Sequence, residues 1–170
     1  MPSMCRALPI LLSLPLAACA APRPAGFPPA AFVLVDKSDR TLTLYRGGEP
    51  VKAYAGLQFG AQPSGHKHFE GDERTPEGRY TIDTRNPESA YHLSLRISYP
   101  DAADRAYAAG QGRDPGGEIF IHGQPNAWAG GDRGARMPGD WTDGCIALAN
   151  AEVEELWRAV PDGTPIEIRP

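Results

Sequence analysis

From residue 32 onward, the chain alternates between short apolar stretches and turns rich in glycine, proline and charged residues. Residues 32–36 are almost wholly apolar, and residues 41–45 carry leucine at every second position. This two-residue period is typical of a half-buried strand, and the charged turn between the two stretches predicts a hairpin. The same criteria predict further strands at residues 51–57, 79–84, 92–99, 118–122, 145–148 and 164–169.

One segment near the C-terminus follows a helical period. Its apolar residues recur at three- and four-residue spacing over residues 151–160, and Asn150 precedes them as the N-cap residue. The chain is therefore predicted to be mainly β, a β-sandwich with one peripheral C-terminal α-helix. The apolar positions of the helix are Val153, Leu156, Trp157 and Val160.

Composition supports a single folded domain and excludes some functions. Of 170 residues, 41% are hydrophobic and 22% are charged, which allows a core and argues against a disordered chain. The net charge is -4 and no basic run occurs, which argues against a nucleic-acid binder held by phosphate contacts. Long loops are predicted at residues 58–76, 100–117 and 124–140, the second with room for a short helix over 102–109.

The N-terminus is similar to a bacterial lipoprotein signal. Arg6 precedes a short apolar stretch that ends in Leu-Ala-Ala-Cys at residues 16–19. This resemblance implies a signal peptide at 1–18, lipidation of Cys19 and a Pro/Ala-rich tether at 19–29. Because residue 20 is not Asp, it implies a periplasmic protein anchored to the outer membrane by its lipid. An ordinary secretory signal, cleaved near residue 18 or 21, is the alternative.

Removal of the signal would leave Cys145 as the one thiol of the domain at 30–170. Cys5 leaves with the signal and Cys19 carries lipid, so no internal disulfide forms. A lone thiol in an oxidising compartment is either buried and inert or kept for its chemistry. A catalytic role requires Cys145 to be accessible and prone to form the thiolate.

Two segments carry residues suited to nucleophilic catalysis. The predicted strand 118–122 ends in His122, and Gly144 directly precedes Cys145 at the start of the next strand. A thiol nucleophile needs a base within hydrogen-bond reach and donors for the developing oxyanion, which a Gly-Cys junction leaving a loop can offer. The alternative is a core cysteine and a strand-end histidine that never meet.

These motifs resemble those of the L,D-transpeptidases with a YkuD-type catalytic domain. The family pairs His-Gly with a later Ser-His-Gly-Cys, and here His122-Gly123 precedes Thr-Asp-Gly-Cys at residues 142–145. Residues 74–80 (RTPEGRY) resemble the family's Thr-Pro-x-Gly strand entry, and residues 89–94 (SAYHLS) resemble a periplasmic subgroup. The resemblance covers about residues 32–170 and implies the fold of that domain.

The resemblance also implies a role for each residue that matches. Cys145 would be the nucleophile and His122 the general base and acid. The backbone carbonyl of Gly123 would orient the imidazole, and the amides of Gly144 and Cys145 would form the oxyanion hole. The residues expected to bind substrate are Arg74, Tyr91, His92, Thr142 and Asp143.

Two positions depart from the family's motif. Asp143 stands where histidine is usual, and Ala147 stands where an arginine that helps to place substrate is frequent. Candidates to replace that arginine are Arg74, Arg133 and Arg136. The interval between His122 and Cys145 is also longer than usual, and its glycine-rich loop could form a lid.

The implied reaction starts on a peptidoglycan tetrapeptide stem. A cysteine acyl-enzyme forms at the diaminopimelate–D-alanine bond, and an amine then accepts the acyl group, giving a 3-3 cross-link or anchoring a protein such as an outer-membrane lipoprotein. Water as acceptor would give an L,D-carboxypeptidase, or an amidase that releases a wall-linked lipoprotein. A non-catalytic peptidoglycan-binding lipoprotein is the alternative of another class.

No cofactor, nucleotide or metal dependence is expected. The pair His66 and His68, followed by Asp72 and Glu73, leaves a zinc site as a less favoured alternative to lining of the groove. Trp128 and Trp141 flank the long loop, where aromatic rings either stack on sugar or anchor the loop.

Overall fold

The structure is a computed structural model that describes residues 29–128, 130 and 134–170. Eight strands and two helices account for the regular structure of these residues. The elements are β1 (Phe32–Asp36), β2 (Thr41–Arg46), β3 (Glu49–Ala55), β4 (Gly78–Asn86), β5 (Ser94–Ile97), α1 (Ala102–Gly110), β6 (Phe120–His122), β7 (Ile146–Ala147), α2 (Asn150–Ala159) and β8 (Thr164–Arg169).

All eight strands belong to one curled sheet with the order β3-β2-β1-β8-β4-β5-β6-β7. The predicted hairpin is confirmed, since β1 and β2 pair antiparallel and their alternate residues are buried. The alternation arises because successive side chains of a strand point to opposite faces of the sheet. The mainly β class predicted from the sequence is confirmed, with the strands in a single hydrogen-bonded sheet.

Both helices are explained by their end residues and apolar faces. In α1 the Asp101 side chain accepts hydrogen bonds from the N–H groups of Ala103 and Asp104, so the short helix anticipated in this loop is present. The sequence predicts Asn150 as the N-cap of α2, whereas Asn150 is the first residue of the helix and Ala149 is its N-cap. The Asn150 side chain accepts the N–H of Gln124 at 2.8 Å. The apolar face of α2 joins the core through Val153, Leu156 and Ala159.

The strand that precedes the candidate site is shorter than predicted. The sequence predicts a strand over residues 92–99, whereas β5 spans Ser94–Ile97. His92 has a φ of 68°, a left-handed conformation that a strand does not accommodate. The backbone turns here, and the carbonyl of Tyr91 accepts the N–H of Gly123 at 3.0 Å.

The pairing of β6 with β7 brings the two candidate catalytic residues to one face of the sheet. The strands are parallel, with Ile121 opposite Ile146 and His122 opposite Ala147. Because side chains alternate between faces, Cys145 lies on the same face as Ala147 and His122. Ile121 and Ile146 point to the other face, where both are buried in the core.

The features predicted for the N-terminus lie outside the described residues. They are the signal peptide at 1–18, the lipidated Cys19 and all of the tether at 19–29 except its last residue. Neither of the two helices in the described ranges has the length and apolar character needed to cross a membrane.

We expect the core behind Cys145 to be sensitive to loss of volume. Ile146→Ala should lower the free energy of unfolding by about 2–5 kcal/mol, because Ile146 is fully buried against Ile121 and a cavity would remain. Chemical denaturation measures this change, with Arg46→Ala at an exposed strand end as the control. A change of less than about 0.5 kcal/mol, the value expected of a surface substitution, would contradict the packing described.

Candidate active site

A cleft of about 500 Å³ opens on the face of the sheet that carries His122 and Cys145. It is bounded by the loop before β5, the chain entering β6, and the turn that ends in Cys145. The lining residues are Asn86, Ser89, Ala90, Tyr91, Ser94, Gly117, Glu118, Ile119, Phe120, His122, Trp141, Thr142, Asp143 and Cys145.

The imidazole of His122 is held in one tautomer. Its Nδ1 lies 2.7 Å from the carbonyl oxygen of Gly123, and a carbonyl can only accept, so the proton of the neutral ring resides on Nδ1. Nε2 is left as a lone-pair acceptor, which is the form that a general base requires. The predicted orienting carbonyl of Gly123 thus lies in hydrogen-bond contact with His122.

The surroundings of His122 keep the ring neutral. The residue is 3% exposed, and burial lowers its pKa to about 4, although the hydrogen bond to Gly123 acts in the opposite direction. The Tyr91 ring stacks on the imidazole at 4.6 Å between centroids, and the Trp141 ring lies at 5.5 Å. Aromatic faces favour a cation above them, so both rings would stabilise the imidazolium that forms on proton uptake.

The Cys145 thiol is held on the backbone next to β6. Sγ accepts the N–H of Phe120 at 3.4 Å and donates to the carbonyl of Glu118 at 3.5 Å. Burial raises the pKa of the thiol to about 11. This state therefore favours the thiol over the thiolate, because a partly buried sulfur gains little solvation on ionising, and the thiolate-prone cysteine expected of a catalyst stays a prediction.

The hydroxyl of Thr142 shapes the turn that leads into Cys145. Thr142 Oγ1 accepts the N–H of Gly144 at 3.2 Å and donates to the carbonyl of Cys145 at 2.8 Å. Gly144 has a φ of 126°, and a Cβ there would lie 2.4 Å from the carbonyl oxygen of Arg74. Only glycine fits this position, which leaves the candidate oxyanion amides at a tightly packed turn.

The residues predicted to bind substrate divide into two groups. Tyr91, Thr142 and Asp143 line the cleft with His122 and Cys145. The structure does not bring the side chains of the other two into it. The left-handed backbone of His92 directs its Nε2 to Glu154 on α2 at 2.8 Å. Arg74 lines a separate depression, together with His68, Phe69, Asp72 and Gln62.

None of the described residues that line the cleft is an arginine or lysine. Arg136 binds the carboxylate of Glu152 and the carbonyl of Ala55 instead, and Arg133 lies outside the described residues. The charged residues of the lining are Glu118 and Asp143, both acidic. The described lining of the cleft thus carries negative charge, and no described residue brings to it the positive charge of an arginine.

The described part of the long loop before Trp141 is fastened to the fold. Gln58 Nε2 donates to the carbonyls of Met137 and Gly139, and Gln124 Oε1 accepts the N–H of Met137 at 2.8 Å. Arg40 binds both carboxylate oxygens of Asp140 at 2.7 Å. These contacts anchor the stretch that leads into the turn at residues 142–145.

The candidate zinc ligands are engaged in other contacts. His66 Nδ1 accepts the N–H of Glu77 at 3.0 Å, and its Nε2 lies 3.1 Å from Asp104. The His68 ring packs against Tyr107 at 4.5 Å. Among the described residues, no group of three or more His, Cys, Asp or Glu is placed to hold a metal ion.

Two features of the site were not anticipated from the sequence. The backbone of residues 118–120 holds Sγ, and its Glu118 supplies one of the two charges of the cleft. Lys67, from a loop rich in glycine and charge, is almost fully buried and acts electrostatically on the Cys145 thiol. Nothing in the local sequence distinguishes this lysine from an exposed one.

Similar sequences support one family for the chain. A family model for the L,D-transpeptidase catalytic domain, YkuD, matches residues 30–168. A curated Escherichia coli K12 protein named "Putative L,D-transpeptidase YafK" is 26% identical over 134 residues, which are 76% of this chain and 46% of that protein. The chain therefore spans about half the length of the curated relatives it matches.

Solved structures support the same fold. The helical cell shape determining protein Pgp2 from Campylobacter jejuni is 30% identical, with a TM-score of 0.64 over 84% of this chain and 48% of that one. An L,D-transpeptidase from Xylanimonas cellulosilytica has a TM-score of 0.52 at 16% identity, over 88% and 64% of the two chains, and is similar in fold. Because the family model spans almost the whole described domain, the chain belongs to the YkuD family of L,D-transpeptidase catalytic domains.

Proposed function

We propose that this domain is a cysteine-dependent L,D-transpeptidase acting on peptidoglycan stem peptides. The observation that carries the proposal is the pairing, in one cleft, of Cys145 with an imidazole whose Nδ1–H is tied to Gly123. That hydrogen bond leaves Nε2 able to accept a proton. A histidine and a cysteine that only filled the core would not require such an arrangement. The bond attacked joins the L-centre of diaminopimelate to D-alanine.

Acylation begins when the thiol turns from the Glu118 carbonyl toward His122. Nε2 takes the proton as Sγ attacks the scissile carbonyl, whose oxygen becomes the oxyanion held by the amides of Gly144 and Cys145. The C–N bond then breaks, and the Nε2 proton passes to the departing D-alanine amine. Because the resting thiol is protonated, attack and proton transfer are coupled, and no preformed thiolate is needed.

The acidic lining favours an amine as the acyl acceptor. Glu118 and Asp143 are both exposed in the cleft, and their charge raises the local concentration of ammonium groups. The bound ammonium first gives one proton to water. The neutral amine then attacks the thioester and passes a second proton to Nε2 of His122, which returns it to sulfur as the C–S bond breaks and the thiol is regenerated. A diaminopimelate side chain gives a 3-3 cross-link, and a lysine of a lipoprotein anchors that protein.

The proposed setting is the periplasmic side of the outer membrane, on the basis of the lipoprotein-like residues 16–19. A lipid on Cys19 and the tether to residue 29 would hold the domain against the outer leaf of the wall. Pgp2 is described as a determinant of helical cell shape, and wall cross-linking by this domain would likewise affect shape.

The direct test is mass spectrometry of one reaction. We expect the purified chain, given a disaccharide-tetrapeptide and a D-amino acid, to release D-alanine and to form the exchanged product or a cross-linked dimer. Cys145→Ala should lower product formation by ~10³-fold or more. Product formed only by hydrolysis would assign the carboxypeptidase alternative, and equal turnover by Cys145→Ala would exclude the cysteine mechanism.

The hydroxyl of Thr142 offers a finer test of the turn. Thr142→Val keeps the shape of the side chain and removes both hydrogen bonds. At a net ~0.7 kcal/mol for each bond the loss is ~1.4 kcal/mol, so kcat should fall about tenfold. Thr142→Ser retains the hydroxyl and should stay within about twofold of wild type. Equal losses in the two variants would contradict a role for the hydroxyl.

The neutral state of His122 predicts a pH dependence of stability. Its pKa falls from 6.5 to about 4 on folding, so between those values the unfolded chain binds a proton that the folded chain does not. Stability should decrease as pH falls through this window, by about 3 kcal/mol at most. Denaturation of wild type and His122→Gln from pH 7 to pH 4 measures the effect, and equal slopes would contradict it.

A further inference from the structure

A buried ion pair lies in the loop that leads to β4. Lys67 is 2% exposed, and its Nζ donates to Asp72 Oδ1 at 2.9 Å and to the carbonyl of Phe69 at 3.0 Å. Removing a lysine ammonium from water costs several kcal/mol, and a buried pair seldom repays more than that cost. Fold stability alone is therefore a weak reason for this pair.

Asp72 is the centre of a wider set of contacts. One carboxylate oxygen accepts the N–H groups of His68 at 2.7 Å and Phe69 at 3.0 Å, and the other accepts that of Arg74 at 3.1 Å. Burial opposes ionisation, but these N–H groups and the Lys67 ammonium hold the pKa of Asp72 below its usual value. The pair therefore fixes the path of the chain into residues 73–74.

Residues 73–74 pack directly beneath the turn that carries the nucleophile. A Cβ on Gly144 would lie 2.4 Å from the carbonyl oxygen of Arg74, so no gap separates the two backbones. On the other side, a Cβ on Gly60 would lie within 2.8 Å of the backbone of both Glu73 and Thr142. A displacement of the segment at Asp72 would therefore be passed to Gly144 and Cys145.

Charged groups act on the Cys145 thiol in both directions. The carboxylates of Asp143 and Glu118 raise its pKa, and the Lys67 ammonium lowers it. Asp143 and Glu118 both line the cleft, whereas Lys67 is not part of that lining. Its ammonium therefore acts on the thiol from outside the cleft.

We propose that Lys67, held by Asp72, is a positioning residue that seats the nucleophile's turn and stabilises negative charge developing on Cys145. This inference rests on the proposed role of Cys145 as nucleophile. Its ammonium does not touch the substrate; it acts through the backbone at Arg74 and through its field at Sγ. Loss of that charge makes the thiol harder to ionise.

The test is the rate of Cys145 alkylation by iodoacetamide at pH 8 in the folded, full chain, followed by peptide mass spectrometry that separates Cys145 from Cys5 and Cys19. Lys67→Gln can still donate to Asp72 and Phe69 but carries no charge. We expect its rate to be ~3- to 10-fold lower than that of wild type, the equivalent of about half to one unit in the pKa of the thiol. Lys67→Arg keeps the charge and should return the rate toward wild type.

Lys37→Gln is the matched control. Lys37 is 6% exposed and forms a comparable ion pair with Glu77 at 2.7 Å. Its Nζ also donates to the carbonyl of Thr75 at 3.3 Å, next to Arg74, so its loss measures the effect of removing a buried ammonium that binds the same segment. We expect its alkylation rate to follow wild type. An unchanged rate for Lys67→Gln, or an equal loss in Lys37→Gln, would overturn the proposal.

Asp72→Asn tests the same interaction from the other partner. It removes the carboxylate charge that fixes Lys67 and the chain into residues 73–74, so the alkylation rate at pH 8 should fall as in Lys67→Gln. A rate equal to or above that of wild type would overturn the proposal even where Lys67→Gln does not fold. Because alkylation needs no turnover, each result bears on Lys67 whether or not the chain transfers acyl groups to stem peptides.

Discussion

The hydrogen bond between His122 Nδ1 and the carbonyl of Gly123 is the contact on which the chemistry of the cleft depends. It selects the tautomer and aims the basic nitrogen away from the backbone. The Gly123 peptide is itself fixed, since its N–H binds Tyr91 and a Cβ at this position would collide with the Asn150 side chain. Contacts from the loop before β5 and from the start of α2 therefore both fix the position of this one peptide group.

Burial gives the site its second property, a resting pair without charge. The imidazole and the thiol both lose solvation, which moves their pKa values apart, downward for His122 and upward for Cys145. In the proposed reaction, charge appears only as the bonds change, and it then meets the aromatic rings beside the imidazole and the backbone amides of the turn. An arrangement of this kind stabilises the transition state more than the ground state, which is the requirement for catalysis.

Much of the fold and part of the candidate site could be predicted from local sequence patterns. The alternation of residues 41–45 and the helical stripe of α2 depend on neighbours in the chain, so both were predictable, as were the strand end at His122 and the turn at Gly144. The left-handed backbone of His92 could not be predicted in this way, because the contact that accompanies it, between His92 Nε2 and Glu154, joins residues 62 positions apart. Arg74 likewise contributes its carbonyl to the site while its side chain lies elsewhere, and no residue pattern encodes that choice.

The protonated resting thiol has a consequence for covalent inhibitors. Reagents that rely on a standing thiolate meet little of it at neutral pH, so general electrophiles would discriminate poorly in favour of this enzyme. A selective compound would instead present a carbonyl to the amides of the turn and a basic or cationic group to Glu118 and Asp143. On the proposed mechanism, such a compound would react only after binding has turned the thiol toward His122, so its reactivity would depend on its recognition by the cleft.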